Sequence, residues 1–467
     1  MRVAKFSLPM LVVGLSALYF LASGVHGALY QSCDFVPVYS GARCLFHGCN
    51  PYNLSQMRAE YLSAGGQDQT LQEVGGWEDE TELYPPSTFA ALAPLGLLPF
   101  PAARLLWWIM NGCLFLAAVA LVLSLCPQTH RWLAAIFSSF YLFASIGICR
   151  QGQASAFAVS TLVVSSVLIL RRRYLPLAAV LLMLSLAVKP QIGGLVAIYF
   201  LADRAVRRYA LLALDGALAF LLIGGFSLQM HPSRSNWVSD MRSNIEASMA
   251  PGQINDPAFP SIGEINIEAV TSVFLPNQSI SLAVASCIFL LLLATWATAW
   301  LRHNPDSPQP FIALGALLVL SLLPVYHRQG DAVILLLSVP SIVVVLEKRR
   351  VLGMFIAGLT PLGSAPITAL LNGYLAVHAP GLRQHLLQSK YLIYLVLSRA
   401  DDLPSRFAHL LDNKLLFLLV LRQQNLALLL LACLYIAAAF IIRLPRNQLE
   451  SNGTRPLSKA AIAGKSA

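Results

Sequence analysis

Leu8-Pro9-Met10-Leu11-Val12-Val13-Gly14-Leu15 opens an apolar run that continues to Leu29, and Ser32-Cys33-Asp34-Phe35-Val36-Pro37-Val38-Tyr39 follows it directly. The run is long enough to cross a bilayer. It is too long for the core of a cleaved signal peptide, and no small-residue cleavage site stands out after it. It therefore reads as a retained signal-anchor helix. Asp34 then stands where a membrane helix leaves the bilayer, ahead of a polar, aromatic, turn-rich segment that contains Asn50-Pro51-Tyr52. A carboxylate at such a boundary is often only a solvated marker. Between Cys33 and Phe35 it becomes a candidate base, because partial desolvation favours the protonated acid and so poises the carboxylate to take up a proton.

Of the 467 residues, 57% are hydrophobic and 12% charged. Soluble domains carry about 25% charged residues, so the composition excludes a soluble enzyme with a single anchor and predicts an all-α polytopic membrane protein. The net charge of +10 lies in short basic clusters between apolar runs. That is the pattern of orientation signals, not of a nucleic-acid surface. Cys113, Cys126, Cys287 and Cys433 sit in apolar runs as small hydrophobes. Cys33, Cys44 and Cys49 share one polar loop, where a disulfide is possible and the sequence does not choose the pair.

Spans are predicted near 7–28, 103–125, 131–149, 153–170, 209–228, 280–301, 309–326, 331–346, 351–377 and 420–443. Arg171-Arg172-Arg173, then Arg204, Arg207 and Arg208, then Arg302, Lys348-Arg349-Arg350, Arg443 and Arg446 all reach the cytoplasmic side if both termini are cytoplasmic. A first loop at about 30–102, a second at about 228–279 and the 378–419 segment are then outside. Between Arg173 and Arg204 the chain must return to the side it left. Two short helices, roughly 175–188 and 191–203, meet this need if they join at Lys189-Pro190-Gln191. Proline breaks the helix there, the freed backbone groups must face protein or water, and an intramembrane lysine needs an anion.

The first loop holds a short amphipathic helix predicted over Tyr39 to Phe46, an acidic segment from Gln67 to Glu82, Tyr84-Pro85-Pro86, and an apolar run, Phe89 to Leu98, too short to span. That run is expected in the interface or against the bundle. Trp107-Trp108 suit an interface belt. Residues 1–445 form one integral-membrane domain, and 446–467 read as a disordered cytoplasmic tail. No inverted repeat is evident.

Under this topology four polar groups fall at the outer ends of the spans: Asp34; Arg150, Gln151 and Gln153; Lys189 and Gln191; and Tyr326, His327, Arg328, Gln329 and Asp331. Cationic clamps match a phosphate that must be held as it leaves, and an aspartate suits deprotonation of a hydroxyl. No phosphate-binding loop, serine–histidine–aspartate arrangement, dinucleotide fingerprint or metal cluster occurs in the sequence, so no cofactor is expected.

Asp34-Phe35 with Tyr39, then Asn50-Pro51-Tyr52, Tyr84-Pro85-Pro86, Trp107-Trp108-Ile109-Met110-Asn111, Gly152-Gln153 and Lys189-Pro190-Gln191 run in an order that resembles glycosyltransferase family 87. The resemblance covers roughly residues 7–345. It is to integral-membrane, polyprenol-phosphate-sugar-dependent hexosyltransferases, including actinobacterial α-mannosyltransferases. It implies a GT-C type bundle of about 10–13 transmembrane helices, an extracytoplasmic active site, inversion at the anomeric centre and an acidic base in the first outer loop, which maps onto Asp34. The late motif differs from the mannosyltransferase pattern, and only His327 carries over.

The expected function is a plasma-membrane hexosyltransferase. Its partners are a polyprenyl-phosphate sugar donor, a lipid or glycan acceptor and membrane lipids. Asp34 and His327 are the catalytic candidates. Lys189, Arg150, Gln153 and Arg328 are assigned to the donor phosphate, and Tyr39, Tyr52, Tyr84 and Gln191 to the acceptor or sugar. The rivals are a lipid or sugar transporter or flippase, which should show inverted repeats and polar groups at both faces, and a non-catalytic subunit of an envelope assembly complex.

Overall fold

A computed structural model describes residues 8–30, 33–67, 83–230, 236–250, 256, 264–301, 310–365 and 422–442. The expectations for the acidic segment beyond Gln67, the 378–419 segment, the end of the 351–377 span and the 446–467 tail lie outside these residues.

The described chain is an all-α bundle. Its first half runs α1 (Leu8–Tyr30), α2 (Phe35–His47), α3 (Leu54–Ser63), α4 (Pro86–Gly96), α5 (Phe100–Leu123), α6 (Arg131–Ala144), α7 (Ile146–Gln151), α8 (Ala154–Leu170), α9 (Leu175–Val188), α10 (Pro190–Ala202) and α11 (Arg207–Gln229). The second half runs α12 (Trp237–Ser248), β1 (Glu264–Ile265), α13 (Glu268–Thr271), α14 (Gln278–Leu301), α15 (Pro310–Ser321), β2 (His327–Arg328), a 3-10 segment (Gln329–Ser338), α16 (Val339–Lys348), α17 (Arg350–Ser364) and α18 (Gln423–Ile441). Among the described residues seven helical stretches are long and apolar enough to cross a membrane. The shorter apolar helices α8, α9, α10 and α15 complete the bundle.

α8 is its axis. Its sequence is uncharged, with small hydroxyl side chains set among apolar ones and no polar face, and every side chain but Leu170 is buried. It packs on α5 and α9. Within a bilayer apolar contact alone discriminates weakly between helices, and small polar residues act as glue. Ser165 Oγ donates to the carbonyl of Ala178 at 2.7 Å, and Ser185 Oγ to that of Ala158 at 2.8 Å. α11 and α14 turn leucines and isoleucines outward, including Leu212, Leu222, Ile223, Leu290 and Leu291. Such exposed apolar faces fit contact with lipid.

The chain breaks between α9 and α10 as the sequence predicts. Lys189 leaves helical geometry (φ −144°, ψ 82°) and Pro190 opens α10. The carbonyls freed by the break find partners on α4: Ser87 Oγ donates to Ala187 O at 2.7 Å and Thr88 Oγ1 to Val188 O at 2.9 Å. The apolar run at 89–98 is thus α4, packed against α2, α9 and α11. α2 starts earlier than predicted, at Phe35, with Asp34 as its N-cap residue. Pro37 lies in its first turn, where a missing N–H costs nothing. The 309–326 span stops as helix at Ser321. Its successor begins as 3-10 turns over Gln329–Ser338, and Pro340 falls in the first turn of α16, where a missing N–H is tolerated.

Arginine-rich and site ends of the bundle are opposite. An Arg171 guanidinium nitrogen donates to Ser124 O at 2.8 Å, and His130 meets Glu347 at 3.2 Å. These contacts gather the ends of α5, α8 and α16 and the start of α6. Gln153 caps the opposite end of α8, where Lys189 reaches Ser155 in the first turn of that helix and Asp331, the partner of His327.

Candidate active site

The site begins at a joint between two loops. The Asp34 N–H donates to the carbonyl of Gln151 at 2.9 Å. Gly152 has φ 73°, a left-handed conformation that glycine adopts at no steric cost. A β-carbon there would stand 2.8 Å from Phe35 Cβ. The Gly152 carbonyl accepts from Trp107 Nε1 at 2.8 Å, and the Trp107 ring stacks on Phe35 at 5.2 Å. Two short motifs far apart in sequence are therefore fitted together around a glycine, and Asp34 is fixed by its backbone.

The Asp34 side chain is half-buried. Burial pushes its carboxyl above the ordinary aspartate range; a hydrogen bond from Gln153, the Cys33 thiol and the charges of Arg328 and Lys189 oppose this. The Cys33 Sγ lies 3.5 Å from Oδ1. A carboxylate that is partly desolvated but still faces cations is an effective proton acceptor.

Lys189 points from the α9–α10 break into the same region, with 12% of its side chain exposed. Its Nζ donates to Ser155 Oγ at 2.7 Å and to Asp331 Oδ1 at 2.9 Å, over the Tyr84 ring at 5.9 Å. Asp331 is the anion that the sequence requires of this lysine. It is buried in the first turn of the 3-10 segment, and its Oδ2 accepts from His327 Nδ1 at 3.0 Å and from the Arg328 N–H at 3.3 Å. A carboxylate only accepts, so Nδ1 carries the proton. His327 is wholly buried, and among the described residues its Nε2 has no hydrogen-bond partner. Arg328 lies over the Tyr326 ring at 5.4 Å.

β1 pairs antiparallel with β2, Glu264 opposite Arg328 and Ile265 opposite His327. This ladder anchors the second loop to the site. Glu264 is buried, takes a bond from Asn266 at 2.9 Å and faces Arg422 at 3.8 Å. Burial pushes its carboxyl up to about 7 against the pull of Arg422.

Five of the residues singled out in the sequence thus converge: Asp34, Gln153, Lys189, His327 and Arg328. Tyr84 joins them beneath Lys189. Arg150 sits half-buried in the last turn of α7, while the cations acting on Asp34 are Arg328 and Lys189. Gln191 is exposed at the start of α10. Tyr39 is wholly buried, its hydroxyl bonded to Leu98 O at 2.5 Å. Tyr52 is buried between Phe89 and Trp237, its hydroxyl donating to Tyr84 O at 2.9 Å. These two tyrosines pack the loop instead of presenting open rings. Asp331, grouped in the sequence with His327 and Arg328 but given no role there, and Ser155, without any sequence signal, are the partners of Lys189. Cys44 and Cys49 form the disulfide, and Cys33 is a buried cysteine beside Asp34, outside that bridge.

The fold and this polar centre at one end of a helical bundle define a polytopic membrane protein with the equipment for group transfer. Residues 83–325 match glycosyltransferase family 87, and the chain belongs to that family; it is a membrane glycosyltransferase. Asp34 precedes the matched region, and His327, Arg328 and Asp331 follow its end directly. No curated protein and no solved structure matches the chain.

Proposed function

We propose that the enzyme moves a hexose from a polyprenyl-phosphate donor to a hydroxyl of a lipid or glycan acceptor at the extracytoplasmic face of the plasma membrane, with inversion. The observation that carries this reading is a partly desolvated carboxylate, Asp34, set beside two cations at the mouth of a membrane helix. The acceptor hydroxyl gives its proton to Asp34 as its oxygen attacks the anomeric carbon. The bond from that carbon to the phosphate oxygen breaks, and the lipid monophosphate leaves with the bonding pair. Lys189 and Arg328 stabilise the charge that grows on the leaving oxygen. Gln153 orients Asp34, His327 supports the site from behind Asp331, and Tyr84 offers a ring face to sugar. Arg150 is assigned to the lipid phosphate and Gln191 to the acceptor.

Purified protein in detergent, supplied with radiolabelled polyprenyl-phosphate hexose and membrane lipid extract, should yield labelled product. Nucleotide sugar should not replace the donor. Transfer from nucleotide sugar with none from the lipid donor would overturn the donor assignment. Formation of labelled product that does not depend on Asp34 would overturn the base assignment.

A further inference from the structure

We infer that Asp331 is a positioning residue that, with Ser155, fixes the Lys189 ammonium so that one donor N–H remains for the sugar donor's phosphate. An ammonium has three donors. Among the described residues two are engaged, one by Ser155 Oγ at 2.7 Å and one by Asp331 Oδ1 at 2.9 Å. Ser155 on α8 and Asp331 on the 3-10 segment thus grip the same ammonium from two elements. With two corners of a tetrahedral group held, the direction of the third is set. Lys189 carries a four-carbon stem with high rotamer entropy, and a tethered ammonium loses less on meeting a phosphate.

Asp331 is itself over-determined. It is 1% exposed, and its second oxygen is held by His327 Nδ1 and the Arg328 N–H. It therefore cannot swing away with Lys189 when an anion arrives. It also offsets a charge that would be costly to keep in the bundle alone. The same carboxylate ties the hinge lysine of α9–α10 to β2, which carries Arg328. A single buried group thus sets the spacing of the two cations that face Asp34.

This inference rests on the assignment of Lys189 to the donor phosphate, and a double-mutant cycle separates the two. Transfer is measured at varied lipid donor for wild type, Asp331→Asn, Lys189→Met and the double variant, with Asp331→Glu beside them. If Asp331 acts through Lys189, Asp331→Asn lowers kcat/KM for donor about tenfold or more in the wild-type background but much less where Lys189 is already Met. The loss falls on both KM and kcat, and Asp331→Glu restores part of it. Equal losses in both backgrounds would show a merely structural role and overturn the inference. Wild-type kcat/KM in Lys189→Met would instead sink the phosphate assignment itself. Ser155→Ala leaves the buried charge pair in place. Should Asp331→Asn fail to fold, the same cycle run with Ser155→Ala decides: non-additivity with Lys189→Met supports the cradle, and additivity refutes it.

Discussion

Replacing Gly152 by alanine tests whether the joint between the Asp34 loop and the α7–α8 turn holds the site. At φ 73° an L-residue must adopt left-handed geometry, which costs roughly 1–2 kcal/mol. The new methyl would lie 2.8 Å from Phe35 Cβ. Phe35 cannot retreat, because it is buried and stacked on Trp107. Overpacking of this kind costs roughly 1–3 kcal/mol, so Gly152→Ala should destabilise the protein by about 2–5 kcal/mol. The strain is relieved by moving residues 33–35, which carry the carboxyl proposed as the base. A displacement near 1 Å at such a group costs about 100-fold in rate, so activity should fall further than stability does. Unfolding in mixed micelles and single-turnover transfer measure the two effects. Gly14→Ala, on a face with nothing within 4 Å, is the neutral control. Gly152→Ala within about 0.5 kcal/mol of wild type, the range of ordinary surface changes, would refute the argument.

Removing the donors that serve the α9–α10 break, by Ser87→Ala with Thr88→Val, leaves two buried carbonyls unserved. The double variant should lose about 2–5 kcal/mol and exchange amides faster around Lys189; unchanged exchange there would mean that water serves those carbonyls. Glu264 gives a pH dependence of stability. Its carboxyl is raised from the ordinary glutamate range to about 7, chiefly by burial. The folded state therefore binds more protons than the unfolded chain between those limits. Its contribution is full at the acidic end of that window and is lost as pH rises through about 7. Glu264→Gln should flatten the stability profile between about pH 5 and 7.5, and an unchanged slope would assign the effect to Glu268, which burial also raises.

The spans were legible because apolar runs of bilayer length have few other readings. The hinge at Lys189-Pro190 was legible for a different reason: two basic clusters competed for one side, and only a broken hairpin satisfied both. The gathering of Asp34, Gln153, Lys189 and Arg328 follows from the same charge rule. What the sequence withheld were partners distant along the chain. Nothing in the residues around 331 marks Asp331 as the counter-ion of a lysine 142 positions earlier. Nor does anything mark Glu264 as the strand partner of Arg328. Aromatic residues were misleading in a simple way. Tyr39 and Tyr52 have the composition of a sugar platform and the burial of a core, and the two read alike until neighbours are known. The early start of α2 was hidden by Pro37, which breaks a helix interior but suits a first turn.

The central claim is that Asp34 takes the acceptor's proton. Asp34→Asn keeps the shape and the N-cap position, loses the base, and leaves Lys189 and Arg328 in place. Single-turnover transfer should be measured beside donor-lipid binding on the same purified protein. General-base assistance is worth about 10²–10⁴-fold, so transfer should fall by at least about 100-fold with donor binding near wild type. Transfer within about tenfold of wild type, below even the weak end of that range, would contradict the mechanism.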